Sequence, residues 1–163
     1  GAHASYQVAA SSTSLRVAGA GADDTLTNVE RLAFADRKLA FDANAQTTAK
    51  VLGAVFGREA VANRDYAAIG LQLLDGGTRY ADLMKLALDA RLGANASNDA
   101  VVTVLYTNVV GVAPGAAELA TFTGLIAAGQ YTQATLGVLA ADTAQLANAI
   151  NLTGLATGGL VYA

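Results

Sequence analysis

Residues 66–76 read YAAIGLQLLDG, and residues 119–129 read LATFTGLIAAG. In both segments large apolar or aromatic side chains occupy the first, fourth and eighth positions, and a glycine occupies the eleventh. Spacings of three and four place these side chains on one face of an α-helix, and glycine commonly ends a helix. The two segments therefore predict the same helix twice, at an offset of 53 residues.

The similarity extends to the residues that precede these segments. Gly57 falls on Gly111 at an offset of 54, and each glycine follows a stripe of apolar residues at helical spacing. Thr48 and Asn63 stand where helix N-caps are expected, because their side chains can accept a hydrogen bond from the first turn. These signals predict a first helix that ends at Gly57 and a second helix that begins at Asn63.

A third apolar stripe follows in each copy, so the repeating unit has three helices. We predict repeats over about 47–93 and 97–141, followed by a last helix over 142–152. A helical unit of about 50 residues buries its apolar stripes against a neighbouring unit. Residues 44–163 are therefore predicted to form a pseudo-symmetric helical bundle.

Residues 1–43 have a different periodicity. Apolar residues alternate with other residues around a break at residues 11–14, in runs that contain Tyr6 and Val8, Leu15 and Val17, Leu32 and Phe34, and Leu39 and Phe41. Period two predicts short antiparallel strands joined in hairpins. A few short strands bury little area alone, so we expect them to pack on the bundle. The predicted fold class is mainly α with a small β extension.

Positive charge is confined to the first part of the chain. All ten lysines and arginines lie in residues 1–91, where ten acidic residues balance them. Residues 92–163 carry only Asp99, Glu118 and Asp142, so this region holds the whole net charge of −3. Recognition of nucleic acid needs clustered cations, so we predict no nucleic-acid partner.

The sequence offers no catalytic constellation. It contains no cysteine, which removes thiol nucleophiles and zinc thiolate sites. The opening GAHAS resembles an expression remnant, so we expect no function for His3, the only histidine. Without another histidine the serines have no evident base, and neighbouring acids lie beside Arg or Lys as surface pairs. We predict no catalytic residue, no firm cofactor, no enzymatic activity and no transmembrane segment.

Two parts of the sequence resemble known families. Residues 24–42, DTLTNVERLAFADRKLAFD, resemble the DTLTNVERLxFAD…LALD segment that follows calcium-binding repeats in secreted bacterial RTX and haemolysin-like proteins. The helical part resembles the domain of unknown function 4214, whose pattern is LYxxxLGRxPDxxGLxYWxxxLxxG. The matching residues are Leu105-Tyr106, Gly111, Ala113-Pro114, Leu119, Leu125 and Gly129, with Gly57-Arg58 in the first repeat. The family's Tyr-Trp pair falls on Thr121-Phe122, which keeps one aromatic ring.

The helical pattern is also similar to phycobilisome linker domains and to the surface-anchoring part of some S-layer proteins. These resemblances imply a noncatalytic C-terminal module of an exported bacterial protein, with a type I exporter as partner and a secreted, extracellular or cell-surface location. Type I secretion signals are poor in basic residues, as residues 92–163 are. The alternative is a module that binds surface polysaccharide or protein. A plainer explanation of the missing cations is that an alanine-rich bundle has little exposed surface to charge.

Asp23 and Asp24 are candidate calcium ligands. The preceding AGAGAD, residues 18–23, resembles the GGxGxD start of a calcium-binding repeat. In such repeats consecutive turns share each ion, so one copy supplies only half of the ligands. A turn between two strands fits residues 18–23 better.

Four tyrosines recur at related places in the two copies and are candidate saccharide-stacking residues: Tyr66, Tyr80, Tyr106 and Tyr131. Their helical spacing favours another interpretation, in which the rings pack in the core and the hydroxyl groups reach its rim. A cluster of these rings on the surface would favour sugar binding instead.

Overall fold

The computed structural model describes residues 1–11, 14–19 and 21–163. Within them the chain is mainly helical, with two three-stranded antiparallel sheets, so the predicted mainly α fold with a small β part is confirmed. The helices are α1 (Ala43–Phe56), α2 (Arg64–Asp75), α3 (Tyr80–Leu92), α4 (Asn98–Val110), α5 (Ala116–Ala127), α6 (Gln133–Ala141), α7 (Ala144–Ala149) and α8 (Leu152–Gly158). The strands are β1 (Tyr6–Ala10), β2 (Ser14–Gly19), β3 (Ala22–Thr27), β4 (Arg31–Ala33), β5 (Lys38–Ala40) and β6 (Leu160–Tyr162).

Helices α1 to α3 and α4 to α6 follow one another as the two copies of the sequence repeat. Helix α1 ends at Gly57 and α4 at Gly111, with φ angles of 91° and 90° that favour a residue without Cβ. The predicted N-cap at Asn63 is confirmed, because its side-chain oxygen accepts hydrogen bonds from the backbone of Asp65 and Tyr66. The glycine and asparagine signals therefore mark the ends of these helices.

The two copies pack around an approximate two-fold axis. Asn108 of α4 donates a hydrogen bond from Nδ2 to the carbonyl of Ala54 of α1, 2.9 Å away, and the two residues are equivalent at the offset of 54. Met84 of α3 meets Gly137 of α6, its equivalent at the offset of 53. Residues that lie on a two-fold axis contact their own equivalents, as in an isologous dimer interface, and these two contacts have that form. Helices α1, α3, α4 and α6 therefore form the centre of the bundle.

The start of α1 differs from the sequence prediction. Its N-cap is Asp42, whose Oδ1 accepts a hydrogen bond from the backbone of Ala45 at 2.8 Å. Thr48 lies inside the helix and is only 1% exposed, so its prediction as an N-cap is wrong. Aspartate caps a helix as well as threonine does, and the alanines at positions 43 and 45 are strong helix formers.

The last helix, predicted over 142–152, is two short helices instead. Thr143 caps α7, which ends at Ala149. Asn151 has a φ of 51° and caps α8 through a hydrogen bond from the backbone of Gly154. Because a residue in the left-handed region cannot continue a right-handed helix, the segment breaks at Asn151.

Strands β1, β2 and β3 form an antiparallel meander near the start of the chain. The predicted turn at residues 18–23 is confirmed, because Gly19 pairs with Ala22 and Gly21 has a φ of 85°. Part of the predicted break at residues 11–14 and part of the predicted turn at residues 18–23 lie outside the described residues, namely Ser12, Thr13 and Ala20.

Strand β6 completes the second sheet, and the sequence did not predict it. Leu160 pairs with Ala40 and Val161 with Leu39, in antiparallel register. Leu39 and Leu160 are each 1% exposed, so the strand is part of the core. A run of three residues is too short to show a period of two. The second sheet therefore contains residues from both sides of the predicted boundary after residue 43.

Arg31 connects this sheet to the bundle. Its Nε and Nη2 donate to Oδ2 of Asp42 at 2.9 and 2.6 Å, and Nη2 also donates to Oδ1 of Asp75 at 3.1 Å. The guanidinium carbon lies 5.7 Å from the centre of the Tyr162 ring. Burial lowers the pKa of Arg31, but the hydrogen bonds and charge of Asp42 outweigh it, so that the pKa rises above its ordinary value.

Candidate functional site: two equivalent apolar grooves

Each repeat contains a groove with an apolar lining. The first groove lies between α1, α2 and α3, has a volume of about 440 Å³ and includes Leu52, Ile69 and Leu86 in its lining. The second groove lies between α4, α5 and α6, has a volume of about 270 Å³ and extends to the start of α7. Volumes near these are typical of sites for small ligands or for single anchoring side chains.

The two grooves are built from equivalent residues. Nine residues of the first groove have an equivalent in the second, at an offset of 54 in the first helix and 53 in the others. The pairs are Thr48 and Val102, Val51 and Leu105, Leu52 and Tyr106, Phe56 and Val110, Ile69 and Phe122, Leu83 and Leu136, Leu86 and Leu139, Ala87 and Ala140, and Ala90 and Thr143. The grooves therefore follow from the packing of the repeat itself.

Large apolar side chains are exposed at the rims of both grooves. Ile69 is 55% exposed, Leu86 49% and Tyr66 43% in the first groove, and Leu139 is 45% exposed in the second. Single exposed apolar residues are ordinary, but residues grouped around a concave surface are typical of binding sites. The grooves are therefore the candidate functional site.

Thr48 is the polar exception in the first groove. Its hydroxyl is buried and has no hydrogen-bond partner among the described residues. Elsewhere Thr121 and Thr123 of α5 donate to the carbonyl groups of Ala117 and Leu119, each at 2.8 Å. The second copy has Val102 at the position of Thr48 and keeps it 2% exposed. The hydroxyl is therefore not required by the packing of the repeat.

The structure separates the four candidate tyrosines. Tyr66 lines the first groove with its ring centre 5.2 Å from that of Phe56, and Tyr106 lines the second, 6.1 Å from Phe122. Tyr80 and Tyr131 line neither groove. Among the described residues no two of these tyrosine rings are in contact, so each groove contains one of the four tyrosines beside a phenylalanine rather than a tyrosine cluster.

Tyr80 belongs to a polar contact between α1, α3 and the end of α6. Its hydroxyl group lies 3.3 Å from Oδ1 of Asp142, to which Lys50 Nζ also donates at 2.8 Å. Burial, together with the nearby carboxylate, raises the pKa of Tyr80 far above its ordinary value. Tyr80 therefore stays protonated and ties the helices together.

The structure places the two candidate calcium ligands on strand β3. Asp23 accepts a hydrogen bond from Nε of Arg16 at 2.8 Å, and this bond lowers the pKa of Asp23 below its ordinary value. Asp24 follows directly in the strand, where successive side chains point to opposite faces of a sheet. The two carboxylates therefore do not converge. No group of three or more potential metal ligands occurs among the residues that the structure describes, and calcium binding stays a prediction.

The second repeat is the less buried of the two. Helix α1 has eight buried residues and α4 has four, while α5 has none. The exposed positions of α5 include Ala117, Ala120 and Ala127. The explanation that residues 92–163 lack cations because they have little exposed surface is therefore wrong.

No helix within residues 1–11, 14–19 and 21–163 is long and apolar enough to cross a membrane. Comparison with protein-family models, with curated proteins and with solved structures gave no match. The resemblances to RTX proteins and to the domain of unknown function 4214 therefore stay predictions.

Proposed function

We propose that this chain is a noncatalytic module of an exported bacterial protein, and that residues 92–163 contribute a signal for type I secretion. One observation carries the proposal: this region has abundant exposed surface and not a single lysine or arginine on it. Alanine, glycine and threonine occupy exposed positions of α5 at which a lysine would disturb no packing. The charge pattern is thus not a by-product of burial.

The resemblance of residues 24–42 to a segment of secreted RTX proteins supports the same proposal, and strand pairing joins this segment to residues 92–163. Residues 24–42 include strands β4 and β5, and β5 pairs with β6 at the far end of the described chain. The module would then be secreted, either free outside the cell or held at the cell surface.

A fusion experiment tests export. A passenger enzyme is fused ahead of residues 1–163 and expressed with a matched type I exporter, and its activity is measured in the medium and in the cells. The full chain is used because β5 would be missing from a shorter fragment, which would expose Leu160. Passenger alone, and the fusion in a host without the exporter, are the controls. We expect activity in the medium only for the fusion with its exporter, and retention in the cells would refute the proposal.

The grooves favour a second candidate function, in which the module binds a partner at the cell surface. The linings are mainly apolar, and among the described residues that line the second groove the polar side chains are Tyr106, Thr143 and Gln145. Sugars need several hydrogen-bonding groups around a stacking ring, so a protein partner fits these grooves better than a polysaccharide. Binding of the purified chain to bacterial cells tests this candidate. We expect Leu86→Asn with Leu139→Asn to abolish binding that Ala117→Asn preserves, and equal binding by both variants would exclude the grooves.

A further inference from the structure

The two grooves share a lining but differ in the charges around them. Every acidic residue of the second half lies within one helical turn of the lining of the second groove. Asp99 precedes Val102 by three positions and Glu118 precedes Phe122 by four, spacings that place two side chains on one helix face, and Asp142 is next to Thr143. Residues 92–163 contribute no cation.

These carboxylates are partly available to a partner. Asp99 and Glu118 are exposed, and neither forms an ion pair with another residue that the structure describes. Asp142 is paired with Lys50 of α1. The second groove is thus an apolar depression in an acidic surface.

The first groove has charges of both signs around it. Asp65, the equivalent of Glu118, is exposed, precedes the lining residue Ile69 by four positions and forms no ion pair with another described residue, but cations lie close to the same lining. Lys85 precedes the lining residue Leu86, and its Nζ is paired with the carboxylate of Asp89. Arg91 follows the lining residue Ala90. The internal repeat therefore provides two grooves of equivalent lining. Acids and cations both surround the first, whereas at the second Asp99 and Glu118 are unpaired and residues 92–163 supply no cation.

We propose that the second groove binds an amphipathic basic helix of a partner protein. Such a helix has apolar residues at positions i, i+3, i+4 and i+7, which form a narrow stripe that a groove between helices can receive. Its flanking lysines or arginines would face Asp99 and Glu118. The charges complement each other, and the same negative surface disfavours nucleic acid and anionic membranes. This inference rests on the second candidate function and is independent of export.

Leu139 provides the sharpest variant. It is 45% exposed at the rim of the second groove, so that asparagine can replace it without opening the core. Its equivalent Leu86 is 49% exposed at the rim of the first groove and serves as the matched control. Both substitutions leave the net charge unchanged. A difference in peptide affinity between the two variants therefore reports binding in the second groove rather than general attraction to an acidic protein.

The probe is a fluorescein-labelled peptide of leucine and lysine, about 18 residues or five helical turns long, and the same peptide with glutamate in place of lysine is its control. Binding is measured by fluorescence anisotropy with the full chain. We expect saturable binding of the lysine peptide only, about tenfold weaker in Leu139→Asn because a leucine contact is lost, and unchanged in Leu86→Asn. Asp99→Asn with Glu118→Gln should weaken binding about twofold to fivefold at low salt and should leave it nearly unchanged at about 1 M salt, where the Debye length is about 3 Å.

Three results would overturn the proposal: no binding of the lysine peptide, equal binding of the glutamate peptide, or equal losses in Leu139→Asn and Leu86→Asn. Circular dichroism of each variant confirms that it is folded. The lysine peptide could fail to bind in the anisotropy assay while the chain still binds to cells in a way that requires Leu139. In that case the groove has a partner of another chemistry, and only the proposal of a basic helix is refuted. If both assays fail, the second candidate function fails with it.

Discussion

The buried hydroxyl of Thr48 leads to a prediction about stability: Thr48→Val should raise the free energy of unfolding of the protein. The hydroxyl is buried, has no partner among the described residues and lies in a helix whose counterpart has valine at this position. A buried polar group without a hydrogen bond destabilises a protein by about 1–3 kcal/mol. Threonine and valine have the same branched shape, so no cavity is created.

We therefore expect Thr48→Val to raise the free energy of unfolding by about 1–2 kcal/mol. This gain is smaller than the full penalty for the unpaired hydroxyl, because the new methyl group has little room and packs less well. For a chain of this length each 1 kcal/mol corresponds to about 2–4 °C in Tm. The assay is equilibrium unfolding in urea, followed by circular dichroism, with a check that the m value is unchanged. The space around Thr48 is restricted, because a Cβ added to Gly70 would lie 3.1 Å from its Oγ1.

The mirror substitution in the second copy is the control. Val102→Thr places the same hydroxyl in the equivalent buried position and should lower the free energy of unfolding by about 1–2 kcal/mol. Opposite signs for the two substitutions would support the equivalence of the copies. A loss of stability in Thr48→Val would show that the hydroxyl makes a hydrogen bond in solution, and the reasoning would be refuted.

Two helical glycines should respond to alanine in opposite directions in the same urea assay. Gly124 faces open space, so Gly124→Ala should stabilise the protein by about 0.5–1 kcal/mol. Gly137→Ala should destabilise it by about 1 kcal/mol, because the added Cβ would lie 2.7 Å from Cγ of the buried Met84. Changes of the same sign in the free energy of unfolding of the two variants would contradict the close packing of α3 and α6. Asp42→Ala should lower the free energy of unfolding by about 1 kcal/mol more than Asp42→Asn, since asparagine keeps the N-cap of α1, and equal losses would mean that the cap is unimportant. Arg16 lowers the pKa of Asp23 from its ordinary value of 3.8. The stability that this pair contributes is therefore fully present above pH 3.8 and is lost as the pH falls through the lowered pKa. Arg16→Gln should raise the pKa of Asp23 in an NMR titration, and an unchanged titration midpoint would argue against the pair.

The repeat was predictable because local chemistry and packing agree in it. Gly57 and Gly111 end helices with nearly the same positive φ, although their ψ angles differ, and the apolar stripes between such signals face the core. Asp42 and Asn151 show where local signals fail. Several residues near position 45 can cap a helix, and the residue used depends on contacts such as the one with Arg31, which no local pattern contains.

The site was harder to predict than the fold. Tyr66 and Tyr106 are two of the four tyrosines that the sequence offers as candidates, but sequence spacing could not show that they line separate grooves. The signal that could have found the grooves is the equivalence of lining residues such as Leu86 and Leu139 at the offset of 53. Both leucines remain exposed in the folded bundle, and a count of apolar positions does not distinguish them from core residues.

The central claim is that the cation-free surface of residues 92–163 is a property that export requires. It is tested most directly by the secreted fraction of the passenger fusion when lysines replace Ala117, Ala120 and Ala127 on the exposed side of α5. The same three positions changed to glutamine are the matched control, because glutamine is similarly long and helix-forming but uncharged. We predict that the glutamine variant is exported like the original chain and that the lysine variant stays in the cells although circular dichroism shows the same helix content. Equal export of the two variants would contradict the claim.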